Sequence, residues 1–385
     1  MLHPIYEQGH QVRQGKVMMR GGGFLPKRIL VVKAAGIGDL ILAVPALRAL
    51  RARFPDAAID LLATPKCKDL LKHCPYLDDI YVIRTQGMAN RIKVKDLWDI
   101  LSLLYRLRKK RYDLLINLYH LFSDRGAFRM KILCKDIKAG LTAGRNTDGR
   151  GGFYDLSIFD SWDDPSYEQR HEVELNLDVV NLLGAFDPGD GPEFFVDDRD
   201  RASLQKVLDR QGISSGEGPC IILNIGGDAV YKRWPEEDFA VLGDLLSERI
   251  SARLILVGGE EDRFVADGVI TKMKARAADL VGRLRIPELA ALIETSDLMV
   301  TNDTGPMHLA AALRIPVIAL FGPGKPGRYG PYGPEGFHVV IHHPVSCSPC
   351  ADFTCTEREC MRKIRPEEVF QKIVERLALR QETCL

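Results

Sequence analysis

Residues 28–34 read RILVVKA, a continuous and largely β-branched run of the kind buried on both faces of a sheet. Gly36-Ile37-Gly38-Asp39 follows at once, and apolar positions then recur on a helical period over 40–54. That is a strand, a tight glycine turn and a helix. The same reading predicts strands at 59–63, 80–83 and 113–118, and helices at 94–110 and 172–183. From 186 to 218 the rhythm lapses into Asp, Gly and Pro with one short helical stretch. It then restarts, with strands at 221–225, 253–257, 298–301 and 317–321 alternating with helices at 237–249, 287–295 and 306–313. A last helix at 366–380 opens on Pro366, Glu367 and Glu368, which suits a helix start. Alternating strands and helices imply parallel pairing with helices on both sheet faces. The expected fold is therefore α/β, with two doubly wound, Rossmann-like parallel-sheet domains and a ligand cleft at the carboxyl ends of their strands.

Length agrees, since 385 residues are about twice what one hydrophobic core supports. The expected organisation is a tail at 1–23, a first domain at 24–190, a linker region at 191–218, a second domain at 219–365 and a terminal helix at 366–385. A composition of 46% hydrophobic and 27% charged residues excludes a disordered or fibrous chain. No apolar run reaches the roughly 18–20 residues of a bilayer span. The first 23 residues carry scattered charge and Gly21-Gly22-Gly23 where a secretory signal would carry an apolar core, so the expected location is the cytoplasm. The net charge of +1 conceals an asymmetry. Residues 1–150 hold 28 Lys+Arg against 13 Asp+Glu, and the remainder 25 against 39. A basic half suits an anionic partner such as a phosphorylated substrate or an acidic membrane surface.

Four segments could carry chemistry. The turn at 36–39 has no third glycine, its sixth position being Ile41, which disfavours a nicotinamide or flavin cofactor. What remains is Asp39 at a helix start, where a capping acid and a general base are both open readings. Asn302-Asp303-Thr304-Gly305-Pro306, with His308 in the helix that follows, offers free backbone N–H groups and a positive dipole end to an anion. Lys232 and Arg233 stand before a helix start, where cations are unfavourable unless something negative sits there, and Trp234-Pro235 reads as an anchor. Gly258-Gly259-Glu260-Glu261-Asp262 offers close approach and acids for ribose hydroxyls, against the simpler reading of solvated acids.

Taken together, KAAGIGDLILAVPALRALRARFPDAAIDLLAT, KRWPEEDF, NDTGPMHLAAALRIPVIALFGP, RYGPYGP and CMRKIRPEEV resemble glycosyltransferase family 9, the ADP-heptose:lipopolysaccharide heptosyltransferases, over about residues 27–380. The resemblance implies a GT-B fold, the donor held mainly by the second domain, the acceptor by the first, and a last helix crossing back to the first. It implies inverting transfer of a heptose to a lipopolysaccharide core or related glycolipid, with an ADP-sugar as donor substrate and no required metal or other cofactor. By the same resemblance Asp39 is the general base and Lys232 the contact to the donor phosphates. Gly36 and Gly38 form the turn beside the substrate. Asp303, Thr304 and Gly305 hold the diphosphate and sugar, with His308 in the same motif. Asp262 takes the ribose and Leu284 lies near the adenine. Other readings are a GT-B transferase using another nucleotide sugar for an envelope glycan, or a catalytically silent nucleotide-sugar-binding protein.

Two further stretches bear on partners. The basic run at 91–111 interleaves cations with leucine and aromatic residues, which suits peripheral contact with the inner membrane; no nucleic-acid partner is expected. Cys347, Cys350, Cys355 and Cys360 have the ligand count of a zinc or iron–sulfur site, but the second pair lacks C-x2-C spacing, and free thiols or a disulfide formed on isolation are the expected states.

Overall fold

The computed structural model describes residues 12–14, 24–83, 94–213, 216–227, 229–350, 352 and 354–383. Most of the expected tail, and 91–93 of the basic run, lie outside these. The chain divides into two compact units, Met1–Gly189 and Asp190–Leu385.

The first unit is built on strands β1 (Val12–Gln14), β2 (Arg28–Val32), β3 (Ala58–Ala63), β4 (Asp79–Val82), β5 (Leu114–Asn117), β6 (Leu141–Thr147) and β7 (Leu156–Asp160). They lie in the order β1-β7-β6-β5-β2-β3-β4, parallel except for β1 at the edge. Ile29 to Val32 of β2 are all buried, as an apolar run covered on both faces requires. The helix expected over 40–54 is two, Ile37–Ile41 and Val44–Arg53. Pro45 has no N–H to bond back to residue 41 and sits at the first turn of the second helix. Strands β6 and β7 and the helix Asp124–Ile137 add to the predicted set.

The second unit is built on β8 (Cys220–Asn224), β9 (Arg253–Val257), β10 (Ala277–Asp279), β11 (Leu298–Asn302), β12 (Val317–Phe321) and β13 (Val339–His342), all parallel, in the order β10-β9-β8-β11-β12-β13. Helix Asp198–Arg210, from the stretch read as a linker, packs here on helix Ile286–Glu294, with Ser203 Oγ donating to Glu288 at 2.6 Å. The terminal helix Pro366–Thr383 packs on helix Glu236–Ile250 and against β12 of this unit. Trp234 is buried in this core, stacked edge-on with Phe239, and its indole N–H donates to the Ile364 carbonyl at 3.0 Å.

Lys138, Ser251 and Arg314, each just beyond the end of a helix, hold left-handed backbone at φ 54°, 51° and 59°. In both sheets the strand order reverses once, between β2 and β5 and between β8 and β11. Loops at the carboxyl ends of such strand pairs are where open α/β sheets bind ligands.

Candidate functional site

At the reversal in the first unit, the loop after β2 ends at Gly36, and Asp39 lies in the first turn of helix Ile37–Ile41. The Gly36 amide donates to Asp39 Oδ2 at 3.2 Å, so the turn folds back on its own acid. Asp39 is half-buried, and among the described residues its Oδ1 has no hydrogen-bond partner. A capping acid thus keeps one oxygen available. Tyr119, from the loop after β5, lies close enough that the Asp39 carboxylate adds to burial in raising its phenol pKa.

Beneath this loop lies a polar network that the sequence did not announce. Buried Lys33 donates to the Leu118 carbonyl at 2.9 Å and to Asn176 at 3.1 Å, and pairs with Glu172 at 3.0 Å. His120 Nε2 lies 2.9 and 3.0 Å from the two Glu172 oxygens, and the Tyr167 hydroxyl 3.2 Å from Nδ1. Burial lowers the His120 pKa against the opposing pull of Glu172, which keeps the ring neutral. In the tautomer this arrangement selects, Nε2–H donates to the carboxylate and Nδ1 accepts from the tyrosine. Phe122, more than half exposed, stacks on Trp162 at 5.3 Å beside the same loop.

The reversal in the second unit gathers the other candidates. Asn224 ends β8 and donates through Nδ2 to Thr301 at 2.8 Å and Thr304 at 3.0 Å. Asn302 ends β11, accepting from the Trp234 amide at 3.0 Å and donating to the Gly226 carbonyl at 2.9 Å. These two asparagines tie the loop after β8 to the Asp303-Thr304-Gly305 turn. A polar residue closing an apolar strand was the signal for both. Thr304 stands at the N-cap position of helix Gly305–Ala312 without a side-chain capping bond; His308 is buried in that helix and Pro306 occupies its first turn. Lys232 Nζ donates to Asp303 Oδ2 at 2.8 Å. A Cβ on Gly324, in the loop after β12, would come within 2.8 Å of the same oxygen, so only glycine admits this aspartate orientation.

Arg233 does not join Lys232. Its guanidinium donates to the Gly227 carbonyl and lies 2.8 Å from Asp262 Oδ1. Asp262 Oδ2 accepts from the Gly259 amide at 2.9 Å, and burial raises its pKa. Asp262 therefore has Oδ2 hydrogen-bonded and Oδ1 in an ion pair with Arg233 but without a hydrogen bond among the described residues, while Glu260 and Glu261 of the same turn are exposed. The Gly282 amide donates to the Gly258 carbonyl at 3.0 Å, and a Cβ at Gly282 would lie 3.1 Å from the Glu260 Cα. Partly buried Leu284 stands two residues beyond Gly282.

The cysteine segment lies against the loop after β12, the Cys350 amide donating to the Pro323 carbonyl at 3.2 Å. All four cysteines are free thiols, and among the described residues no three of their sulfurs lie within 4.8 Å of one another. Burial, aided by Cys347 and Cys355, pushes the Cys360 thiol pKa up.

The family model for glycosyltransferase family 9 (heptosyltransferase) matches residues 100–361. The chain belongs to glycosyltransferase family 9. This family-9 enzyme is 28% identical over 294 residues to lipopolysaccharide heptosyltransferase 3 of Escherichia coli strain K12, covering 74% of this chain and 79% of the relative. Among solved structures, it superposes on the family 9 glycosyl transferase from Veillonella parvula DSM 2008 with a TM-score of 0.74 at 24% identity, over 91% of this chain and 97% of the other. It also superposes on the E. coli ADP-heptose lps heptosyltransferase II with a TM-score of 0.71 at 22% identity, over 92% and 99%. The two Rossmann-like units of this glycosyltransferase thus have the fold of those enzymes. Among its described residues no helix is long and apolar enough to cross a membrane.

Proposed function

We propose that this glycosyltransferase moves a heptose from ADP-heptose to a hydroxyl of a lipopolysaccharide core or related phosphorylated glycolipid, with inversion at the anomeric carbon. The observation that carries the reading is Asp39, at a strand-order reversal, with one carboxylate oxygen engaged by its own turn and the other available. The relative named a lipopolysaccharide heptosyltransferase supports the sugar and acceptor.

In this reaction Asp39 Oδ1 takes the proton of the acceptor hydroxyl as its oxygen bonds to the anomeric carbon. The bond from that carbon to the diphosphate oxygen breaks, and ADP leaves carrying the electron pair. Lys232 and the backbone N–H groups at the start of helix Gly305–Ala312 meet the charge that develops there. Lys232 is held by Asp303 beforehand, so a diphosphate receives a preoriented cation, and Asp303 turns to a sugar hydroxyl. This cation and helix end supply the neutralisation for which a divalent metal would otherwise serve, and we read the transfer as metal-independent on that donor set. Gly36 and Gly38 let the acceptor approach the backbone. His308 lies buried in the helix that this turn begins. With Asp262 engaged, Glu260 becomes the acid for the ribose, and the backbone at Leu284 faces the adenine.

Asp39→Asn tests the assignment. Isothermal titration should show ADP binding retained while heptose transfer is lost; unchanged transfer would remove Asp39 from the role of base. Release of ADP, but not UDP or GDP, from the corresponding sugar donors checks the nucleotide.

A further inference from the structure

Helix Val94–Lys110 has two apolar faces. Leu103 and Leu107 are buried in the first unit's core, while Leu97, Leu101 and Tyr105, spaced by four, stand on the far side with Trp98 beside them. These four side chains are 48–69% exposed. A surface helix of a globular protein ordinarily shows a single apolar stripe. Helix Asp124–Ile137, which packs against it, repeats the arrangement: Ala127 and Met130 face inward, and Phe128 and Ile132, one turn apart, are 63% and 48% exposed. Six large apolar side chains therefore stand in solvent on two touching helices. Soluble monomers rarely leave such a surface uncovered unless something binds it.

Charge decides what covers it. Residues 94–138 hold 11 Lys+Arg against 5 Asp+Glu. Exposed Arg108 and Lys109 border the apolar face of the first helix, and Arg125, Lys131 and Lys135 that of the second. A second copy of the chain meeting it through the same face would bring like charges together, whereas an acidic lipid surface satisfies both the apolar and the basic residues. Trp98 and Tyr105 are the amphipathic aromatics favoured at the boundary between headgroups and acyl chains.

We propose that this two-helix face docks on an anionic bilayer, with Leu97, Trp98, Leu101, Tyr105, Phe128 and Ile132 entering the headgroup boundary and the flanking cations meeting lipid phosphates. The contact is peripheral and independent of the transfer chemistry. Sequence alone pointed to the basic run; the structure shows that Leu97, Trp98, Leu101 and Tyr105 within it face outward and that a second helix extends the surface.

The test is cosedimentation of the full chain with vesicles of phosphatidylcholine alone and of phosphatidylcholine with about one-third phosphatidylglycerol. Binding is expected to the anionic vesicles and to weaken as salt rises. The pairs Leu101→Glu with Tyr105→Glu and Lys131→Glu with Lys135→Glu should each weaken it by roughly tenfold or more, given what each basic or apolar contact contributes at such a surface. Both variants change exposed positions only and should keep the wild-type urea midpoint and ADP binding. Wild-type protein that stays in the supernatant, or variants that sediment as well as wild type, would overturn the proposal. So would a wild-type dimer that the Leu101→Glu, Tyr105→Glu variant makes monomeric, since a second copy would then be the occupant.

Discussion

Lys232 and Arg233 are neighbours with opposite duties. Lys232 reaches Asp303 at the mouth of the turn, and Arg233 bends inward to the Gly227 carbonyl and Asp262. Lys232→Ala should therefore lower kcat by about 10²–10³, the effect of removing one preorganised contact to developing charge, with the urea midpoint little changed; single-turnover kinetics would show it. The aspartates make a similar pair. Asp39 and Asp262 both close a G-x-x-D turn by accepting from its glycine amide. The sequence pattern is the same, and the neighbours differ: Arg233 covers the second oxygen of Asp262, and no described residue covers that of Asp39. Both turns and their acids were legible in the sequence, whereas the Arg233 contact that separates Asp262 from Asp39 comes from 29 positions away and was not.

Among the elements, the readable strands were those whose burial is apolar. β2, β8, β11 and β12 announce themselves as continuous hydrophobic runs. β6 does not, because its buried residues include Arg145, Asn146 and Thr147. Arg145 is tolerated there because Asp160, Asp178 and the Leu175 carbonyl surround its guanidinium, partners 15 to 33 positions away that no local pattern reveals. The Lys33–Glu172–His120 network was hidden for the same reason. His338, just before β13, has no such partners. Both ring nitrogens are buried without one among the described residues, and burial, with Arg376 and Arg314 nearby, lowers its pKa to about 4. The unfolded chain, with a histidine pKa near 6.5, binds the proton first as pH falls. The neutral ring therefore contributes stability that is complete above pH about 6.5 and is lost towards pH about 4, at about 1.4 kcal/mol per unit. His338→Phe should flatten this limb of the pH dependence in urea titrations; an identical slope in wild type and variant would contradict it.

At the scale of the whole molecule, one α/β pattern is used twice, each sheet reversing its strand order once and each reversal carrying a loop with a candidate role. The first unit holds 29 Lys+Arg against 22 Asp+Glu and the second 24 against 30, so the units have charge of opposite sign and salt should affect membrane docking more than ADP binding. Two of the residues that close the helices, Ser251 and Arg314, stand outside both properties, and Lys138 is one exposed cation among the 11 of residues 94–138. Lys138, Ser251 and Arg314 occupy backbone that a Cβ makes costly, yet none touches the candidate chemistry. The enzyme therefore holds unused thermal headroom at its helix ends. Glycine at these three positions should raise stability by about 0.5–1 kcal/mol apiece, visible as a higher calorimetric midpoint with turnover intact, and that reserve would let the catalyst keep working in warmer conditions.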